Sequence, residues 1–208
     1  RFHNEIHRGV VYTRNKLLAH ASGEFITWLD ADDISYETRL DRLLEAFDKD
    51  SALALCGSNV IRRYRLSGEC IVTDYPLTHE EVRASIALRR RFPFTGSSVA
   101  FRRQILEDVE GFRPFFDFGG EDEDFILRVS EKYCVGNIPD VLYEYRYTRN
   151  STSRRFSKNV FLKLYHTQIL FFLAEQRALT GLDGLMEGGD QEQFLGFIER
   201  LRLDFERD

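Results

Sequence analysis

Residues 25–33 read Phe25-Ile26-Thr27-Trp28-Leu29-Asp30-Ala31-Asp32-Asp33. A short apolar run of this kind is the pattern of a buried strand. It ends directly on three carboxylates within four positions, and the carboxyl end of a strand in an open α/β sheet is where ligands sit. Three acids so close together repel one another and would destabilise a compact fold without compensation. A divalent cation removes that cost, because hard cations take oxygen ligands. The competing explanation is an acid-decorated helix N-terminus, which the helix dipole favours. An EF-hand loop beginning at Asp30 fails: Ile34 stands at its fifth position, Ser35 where its glycine belongs and Asp41 where its final glutamate belongs.

Upstream, residues 9–22 carry a helical line of Val10, Leu17, Leu18 and Ala21, with Gly23 as the stop. Arg14 falls on the same line, and an arginine in an apolar stripe needs a partner. Downstream, Ser35 is expected to cap a helix reaching about Phe47, with Leu40, Leu43, Leu44 and Phe47 at helical spacing. Residues 52–60 read as a second buried strand, and a hairpin turning at Ser67-Gly68 joins 61–66 to 70–74. Thr78 with Glu81 forms a capping-box start for a helix to about Leu88. A strand at 97–101 and a short helix at 104–109 follow. Residues 121–132 are helical, with Phe125, Ile126 and Val129 on one face, and strands at 133–138 and 141–147 flank Pro139-Asp140.

Beyond Ser157 the pattern becomes a long amphipathic helix, a glycine-containing break at 181–189 and a closing helix to about Phe205. Strands alternating with helices, then helices alone, indicate an α/β core over 1–155 with a helical C-terminal extension over 156–208. The extension carries Val160, Phe161, Leu164, Ile169, Phe171, Phe172 and Leu173. Such a face packs onto a core, docks on a membrane surface beside a lipid-linked acceptor, or joins copies of the chain. Lys158, Lys163 and Arg177 are compatible with the membrane alternative.

The chain's 208 residues suffice for a real core, and 43% hydrophobic and 13% aromatic content, with 18 Phe, mark a globular protein. A formal charge of −5 argues against a nucleic-acid partner, since no basic excess exists to neutralise phosphates. Local basic runs at 62–65, 89–91 and 146–155 are solvated faces or a pocket for an anionic group. Cys56, Cys70 and Cys134 are odd in number and lack metal-type spacing, the pattern of reduced thiols. There is no signal-peptide pattern and no apolar stretch long enough for a bilayer, so the expected location is cytoplasmic, with peripheral contact at the inner face of a membrane. The chain opens at Arg1 without Met, in what reads as the middle of a functional segment.

A second acidic signal is Gly119-Gly120-Glu121-Asp122-Glu123-Asp124. Four consecutive acids at a helix start are favoured by the dipole but repel each other, so one of them can hold its proton near neutral pH, as a general base requires. The glycines allow close approach of backbone or substrate.

Taken in order, these segments resemble family-2 glycosyltransferases. The resemblance rests on Thr13-Arg14-Asn15, Ala21-Ser22-Gly23-Glu24-Phe25-Ile26 and Asp30-Ala31-Asp32-Asp33. It continues through Phe94-Thr95-Gly96-Ser97-Ser98, Gly111-Phe112, Gly120-Glu121-Asp122 to Arg128, and Tyr145-Arg146 with Asn150-Ser151-Thr152-Ser153. It implies the GT-A fold, a Rossmann-like, mostly parallel sheet flanked by helices. It also implies transfer of a sugar, with inversion, from a nucleoside diphosphate (of the uridine type) to an acceptor hydroxyl in glycan or polysaccharide synthesis. By matching position, Asp30, Asp32 and Asp33 hold the diphosphate and a Mn²⁺ or Mg²⁺ ion, with Asp32 and Asp33 the alternative metal ligands between which the sequence does not choose. Arg14 falls at the nucleotide base, Asp122 at the catalytic base with Asp124 as alternative, and Gly96, Ser97 and Ser98 at the sugar. Arg146 and Arg154 meet the diphosphate. The chain departs from the pattern at His7, Thr13 and Thr148, and the family's first strand with its Asp-Asp-Gly-Ser segment is not among these 208 residues. The alternative function is a non-catalytic nucleotide- or sugar-binding module on the same scaffold.

Overall fold

The computed structural model describes residues 6–88, 92–147 and 159–207. Helix α1 (Gly9–His20) leads to strands β1 (Phe25–Thr27) and β2 (Ile34–Ser35) and helix α2 (Arg39–Lys49). Next come β3 (Leu53–Tyr64), β4 (Cys70–Val72), α3 (His79–Ala87) and β5 (Ala100–Arg102). Helix α4 (Glu121–Lys132), strand β6 (Cys134–Tyr147) and helices α5 (Val160–Leu164), α6 (His166–Thr180) and α7 (Gln191–Arg207) complete the order. The chain forms two compact units. One comprises Leu17–Gly111 and Arg128–Arg155; the other comprises Arg1–Lys16, Phe112–Leu127 and Phe156–Asp208. This division breaks the chain between residues 155 and 156, and it also groups residues 1–16 and 112–127 with the helical tail.

The first unit holds the sheet, ordered β1-β5-β3-β6-β2 with β4 on β3. The α/β class holds, but the expectation of a mostly parallel sheet is corrected. Among the described strands only β3 and β6 pair in parallel, and the β1–β5, β3–β5, β2–β6 and β3–β4 ladders are antiparallel. These senses make β1 and β2 run in opposite directions, so the chain reverses at Asp30–Asp33. No helix follows the acids directly. Ser35 lies in β2, and α2 starts four residues later with Thr38 at its N-cap.

The buried face of α2 is Arg39, Leu43 and Phe47, one residue per turn. Leu40 and Leu44, expected in the stripe, are exposed. Leu43 and Phe47 pack with Leu53, Cys56 and Ala100, and the Phe25 and Phe47 rings lie 4.7 Å apart. Side chains of this size each stabilise by ~1.5–3 kcal/mol when fully buried. The two strands expected around Pro139-Asp140 are one strand. The register passes from Ser58↔Ile138 to Asn59↔Val141 and skips those two residues as an irregularity, where a proline without an N–H is tolerated. Residues 97–101 are not all strand: Gly96–Ser98 is a 3₁₀ turn before β5. The Thr78–Glu81 capping box is present with both reciprocal hydrogen bonds. Helix α1 ends at His20, short of Gly23, which does not adopt a positive φ.

In the second unit the tail helices bury part of their apolar surface, while Leu164, Leu179 and Leu195 stay exposed. Ile169, Leu170, Leu173 and Phe194 are buried, and the Phe172 and Phe197 rings stack at 4.1 Å. Gly181, with φ 81°, caps α6 in the left-handed conformation. Arg177, which the sequence placed among the residues compatible with a membrane surface, is instead buried on Asp183.

Candidate functional site

In the sheet unit, the acidic turn leaves β1 and is fixed from β6. The Asp33 amide donates to the Asp30 carbonyl at 3.1 Å, closing the turn. The Asp33 carboxylate accepts from the Tyr143 hydroxyl at 2.8 Å and from the Arg146 amide at 2.9 Å. The Asp30 amide lies 3.4 Å from the same hydroxyl, and Arg146 Nε donates to the Asp32 carbonyl. Burial pushes the Asp33 carboxyl up to about 6; the hydrogen bonds from Arg146 and Tyr143 oppose this, and the charges of Asp30 and Asp32 add to it. Asp33 is buried while Asp32 is exposed.

That contrast tests the fit of a divalent cation. Both oxygens of Asp33 accept hydrogen bonds, from the Tyr143 hydroxyl and the Arg146 amide, that hold the turn. Asp32 is exposed and Asp30 half-buried, and carboxylates offer the hard-oxygen chemistry Mn²⁺ and Mg²⁺ take. Among the described residues no group of three or more His, Cys, Asp or Glu could hold an ion alone. An ion held by one or two carboxylates plus substrate phosphates is the usual manner of Mg²⁺, and this turn suits that manner.

The second flank of the turn is Gly96–Ser98. All three residues are buried, and Ser98 N and Oγ both donate to the Thr95 carbonyl, at 2.9 and 2.8 Å. Arg39 links this turn to the acidic strand end. Its Nη2 donates to Ser97 O and to Thr27 Oγ1, each at 2.8 Å, its Nη1 donates to Trp28 O at 3.3 Å, and its guanidinium lies over the Tyr143 ring at 5.0 Å. The Ser97 side chain lowers the proton affinity of the Tyr143 hydroxyl, against the larger effect of burial, which raises it. Tyr143 and Arg39 thus bring Asp30, Asp32, Asp33, Gly96, Ser97 and Arg146 into one frame. Arg154 lies outside the described residues.

The sequence reading missed both organisers. Arg39 could have been found as the residue one turn before Leu43 on the buried face, had α2 not been started at Ser35. Tyr143 sits in an alternating strand where nothing marks a hydroxyl with a task.

In the helical unit, the four acids at the start of α4 each meet a different environment. Glu121 accepts from Arg14 Nη1 at 2.7 Å, so the arginine in the apolar stripe has a carboxylate partner, and its guanidinium lies 5.5 Å from the Phe112 ring centre. Glu123 faces His166 at 3.3 Å. Asp124 is wholly buried with both oxygens on Arg113, which also binds Asp183 at 2.7 Å; Asp183 in turn accepts from Arg177. Asp122 is the one of the four not bound to a cationic side chain among the described residues; its Oδ1 accepts from the Glu123 amide at 3.0 Å. Burial, then the charge of Glu123, raises its affinity for a proton, and Arg14 opposes. Asp122 thus holds its proton more tightly than an ordinary aspartate, while Asp124 is an ion-pair anchor.

The fold these elements build is that of GT-A glycosyltransferases, a mixed sheet and helices around an acidic turn. Structures similar to it include Staphylococcus aureus TarS 1-349 in complex with UDP-GlcNAc, with TM-score 0.58 and 15% identity, covering 79% of this chain and 47% of that one. Another is the mannosyltransferase PcManGT from Pyrobaculum calidifontis in complex with GDP-Man and Mn²⁺, with TM-score 0.53 and 18% identity, covering 83% of this chain and 45% of that one. The sequence pattern of glycosyl transferase family 2 matches residues 1–109, and the chain belongs to that family. It is 26% identical over 178 residues to EpsH of Bacillus subtilis (strain 168), which bears glycosyltransferase as a provisional name; the match covers 79% of this chain and 50% of EpsH. The chain spans about half the length of the curated relatives it matches. No described helix is long and apolar enough to cross a membrane.

Proposed function

We propose that this chain is the catalytic part of an inverting glycosyltransferase that moves a sugar from a uridine-diphosphate donor to a hydroxyl of a glycan or lipid-linked acceptor. One observation carries the reading. In a chain of glycosyl transferase family 2, the Asp30–Asp33 turn is fixed through Asp33 by Tyr143 and Arg146 while the Asp32 carboxylate stays exposed. The UDP-GlcNAc in TarS supports the uridine donor, and the Mn²⁺ in PcManGT supports a divalent cation.

In this reading Asp32, with Asp30, holds Mn²⁺ or Mg²⁺, which supplies positive charge for the diphosphate as it departs. Asp33 orients the turn, Gly96 and Ser97 line the sugar, and Arg146 and Arg154 serve the diphosphate. Asp122 accepts the proton of the attacking hydroxyl, and its raised proton affinity suits that task. A single displacement at the anomeric carbon needs one such base, which is why the commitment of Asp124 to Arg113 leaves the chemistry intact.

The test uses the full-length protein with UDP-GlcNAc as probe. Asp122→Asn abolishes turnover while calorimetric affinity for UDP in Mn²⁺ changes less than about twofold, because the base acts on the acceptor side. Equal UDP affinity in Mn²⁺ and in chelator would sink the metal assignment. Tight UDP binding with no turnover of any nucleotide sugar by the wild type would favour a binding module instead.

A further inference from the structure

One side chain of the helical tail, His166, meets the acidic run of α4 at Glu123. His166, the first residue of α6, lies against Gly120, where an added Cβ would stand 3.1 Å from His166 Cδ2. Gly120 also holds φ at +84°, so position and conformation both require glycine there.

His166 Nδ1 lies 2.9 Å from the Lys163 carbonyl, a group that only accepts. Its Nε2 lies 3.3 Å from Glu123 Oε2, a carboxylate that also accepts when ionised. A neutral imidazole has one donor nitrogen and would turn its remaining lone pair on one of these oxygens, whereas an imidazolium satisfies both. The Thr167 hydroxyl, 3.4 Å from Nε2, is at the limit of a hydrogen bond. In agreement, the hydrogen bond to Glu123 raises the proton affinity of His166; burial opposes this, and the charges of Glu123 and Asp122 and the Lys163 carbonyl support it.

The groups facing Asp122 are Glu123 on α4, whose charge raises its proton affinity, and Arg14 on α1, whose charge lowers it. His166 on α6 meets Glu123 at 3.3 Å, and the charge of Asp122 adds to its proton affinity. We propose that His166 is a positioning residue contributed by the helical tail: its imidazolium anchors Glu123 and offsets that residue's charge, and so sets the basicity of Asp122. This rests on the assignment of Asp122 as the base. The tail thereby takes part in acceptor activation, and a protein whose His166 loses its proton holds the Asp122 proton to higher pH.

The experiment reads Asp122 directly. The ¹³C shift of its carboxyl, assigned by loss in Asp122→Asn, is titrated by NMR in the full-length wild type, His166→Gln, Glu123→Gln and the double variant. His166→Gln moves the Asp122 midpoint up by roughly half to one pH unit, the scale of one neighbouring charge partly open to solvent. Glu123→Gln moves it down, and in that background His166→Gln adds little. A purely structural histidine would leave His166→Gln at the wild-type midpoint and the double variant at the midpoint of Glu123→Gln, which would overturn the proposal. Should His166→Gln unfold below the titration temperature, the His166 ring itself decides. Its wild-type midpoint lies above the ordinary ~6.5 and falls in Glu123→Gln, and a ring indifferent to Glu123 would overturn the proposal equally. UDP-GlcNAc turnover by Asp122→Asn is scored separately: retained turnover removes the base assignment, whereas lost turnover with fixed midpoints removes only the role of His166.

Discussion

Arg14 Nη1 donates to Glu121 Oε1 across 2.7 Å, tying α1 to the first acid of α4. Both side chains are largely buried, at 16% and 10% exposure, so the pair is more than a surface contact. Arg14→Ala removes a cationic partner of Glu121, next to Asp122. A loss of ~1–3 kcal/mol is expected, below the range for fully buried pairs because solvent still reaches this one. Urea unfolding measures it, and Arg14→Lys should recover part. A donor affinity that collapses while unliganded stability is unchanged would instead return Arg14 to the nucleotide.

Tyr143→Phe removes one hydroxyl from a buried carboxylate. Asp33 keeps the Arg146 amide, but the turn carrying Asp32 loses its tether to β6. Leaving a buried acceptor short of a donor costs about 1–3 kcal/mol. Melting temperature should fall, and Mn²⁺-dependent UDP affinity should fall several-fold in calorimetry. Unchanged affinity would mean the turn holds its shape without Tyr143.

Much of this was legible in the sequence because it is local. The apolar run into Asp30–Asp33, the Thr78–Glu81 box and the α4 face each depend on residues a few positions apart. The sense of the sheet was not legible, because it depends on the chain reversing at Asp30–Asp33, and the strands concerned are only two or three residues long. Residue identity alone also cannot divide the labour among Glu121, Asp122, Glu123 and Asp124. Their partners Arg14, His166 and Arg113 lie up to 107 positions away. Arg14 was flagged because it broke an apolar stripe. Arg39, which does the same in α2, was hidden by a helix start placed too early.

Arg39 is buried with carbonyl and hydroxyl acceptors, and burial lowers its proton affinity without displacing its charge. Its planar fork spans Thr27, Trp28 and Ser97 at once, which an ammonium cannot do. Arg39→Lys should therefore behave almost as badly as Arg39→Met, each losing ~2–4 kcal/mol from stranded acceptors. Full stability of the lysine variant in chemical denaturation would show that charge, not the fork, is what this position requires.

Asp124 and Asp122 should separate cleanly. Asp124, 1% exposed, is paired with Arg113, which also pairs with Asp183, at 0%. Removing one partner of such a buried set leaves an uncompensated charge and costs ~3–5 kcal/mol, so Asp124→Asn should melt far below wild type, whereas Asp122→Asn should melt near it. The same cluster sets the response to acid. Burial alone would raise the Asp183 carboxyl, but the attraction of Arg113 and Arg177 outweighs it and holds the group below its ordinary value. A carboxylate depressed in the folded state contributes stability above its unfolded value, near 4, and loses that contribution as pH falls through its folded value. Urea midpoints should thus decline once pH drops below about 4. In Asp183→Asn the protein should start less stable and decline less steeply over the same window, because the titrating group is gone. Parallel slopes for wild type and Asp183→Asn would place the acid sensitivity elsewhere in the molecule.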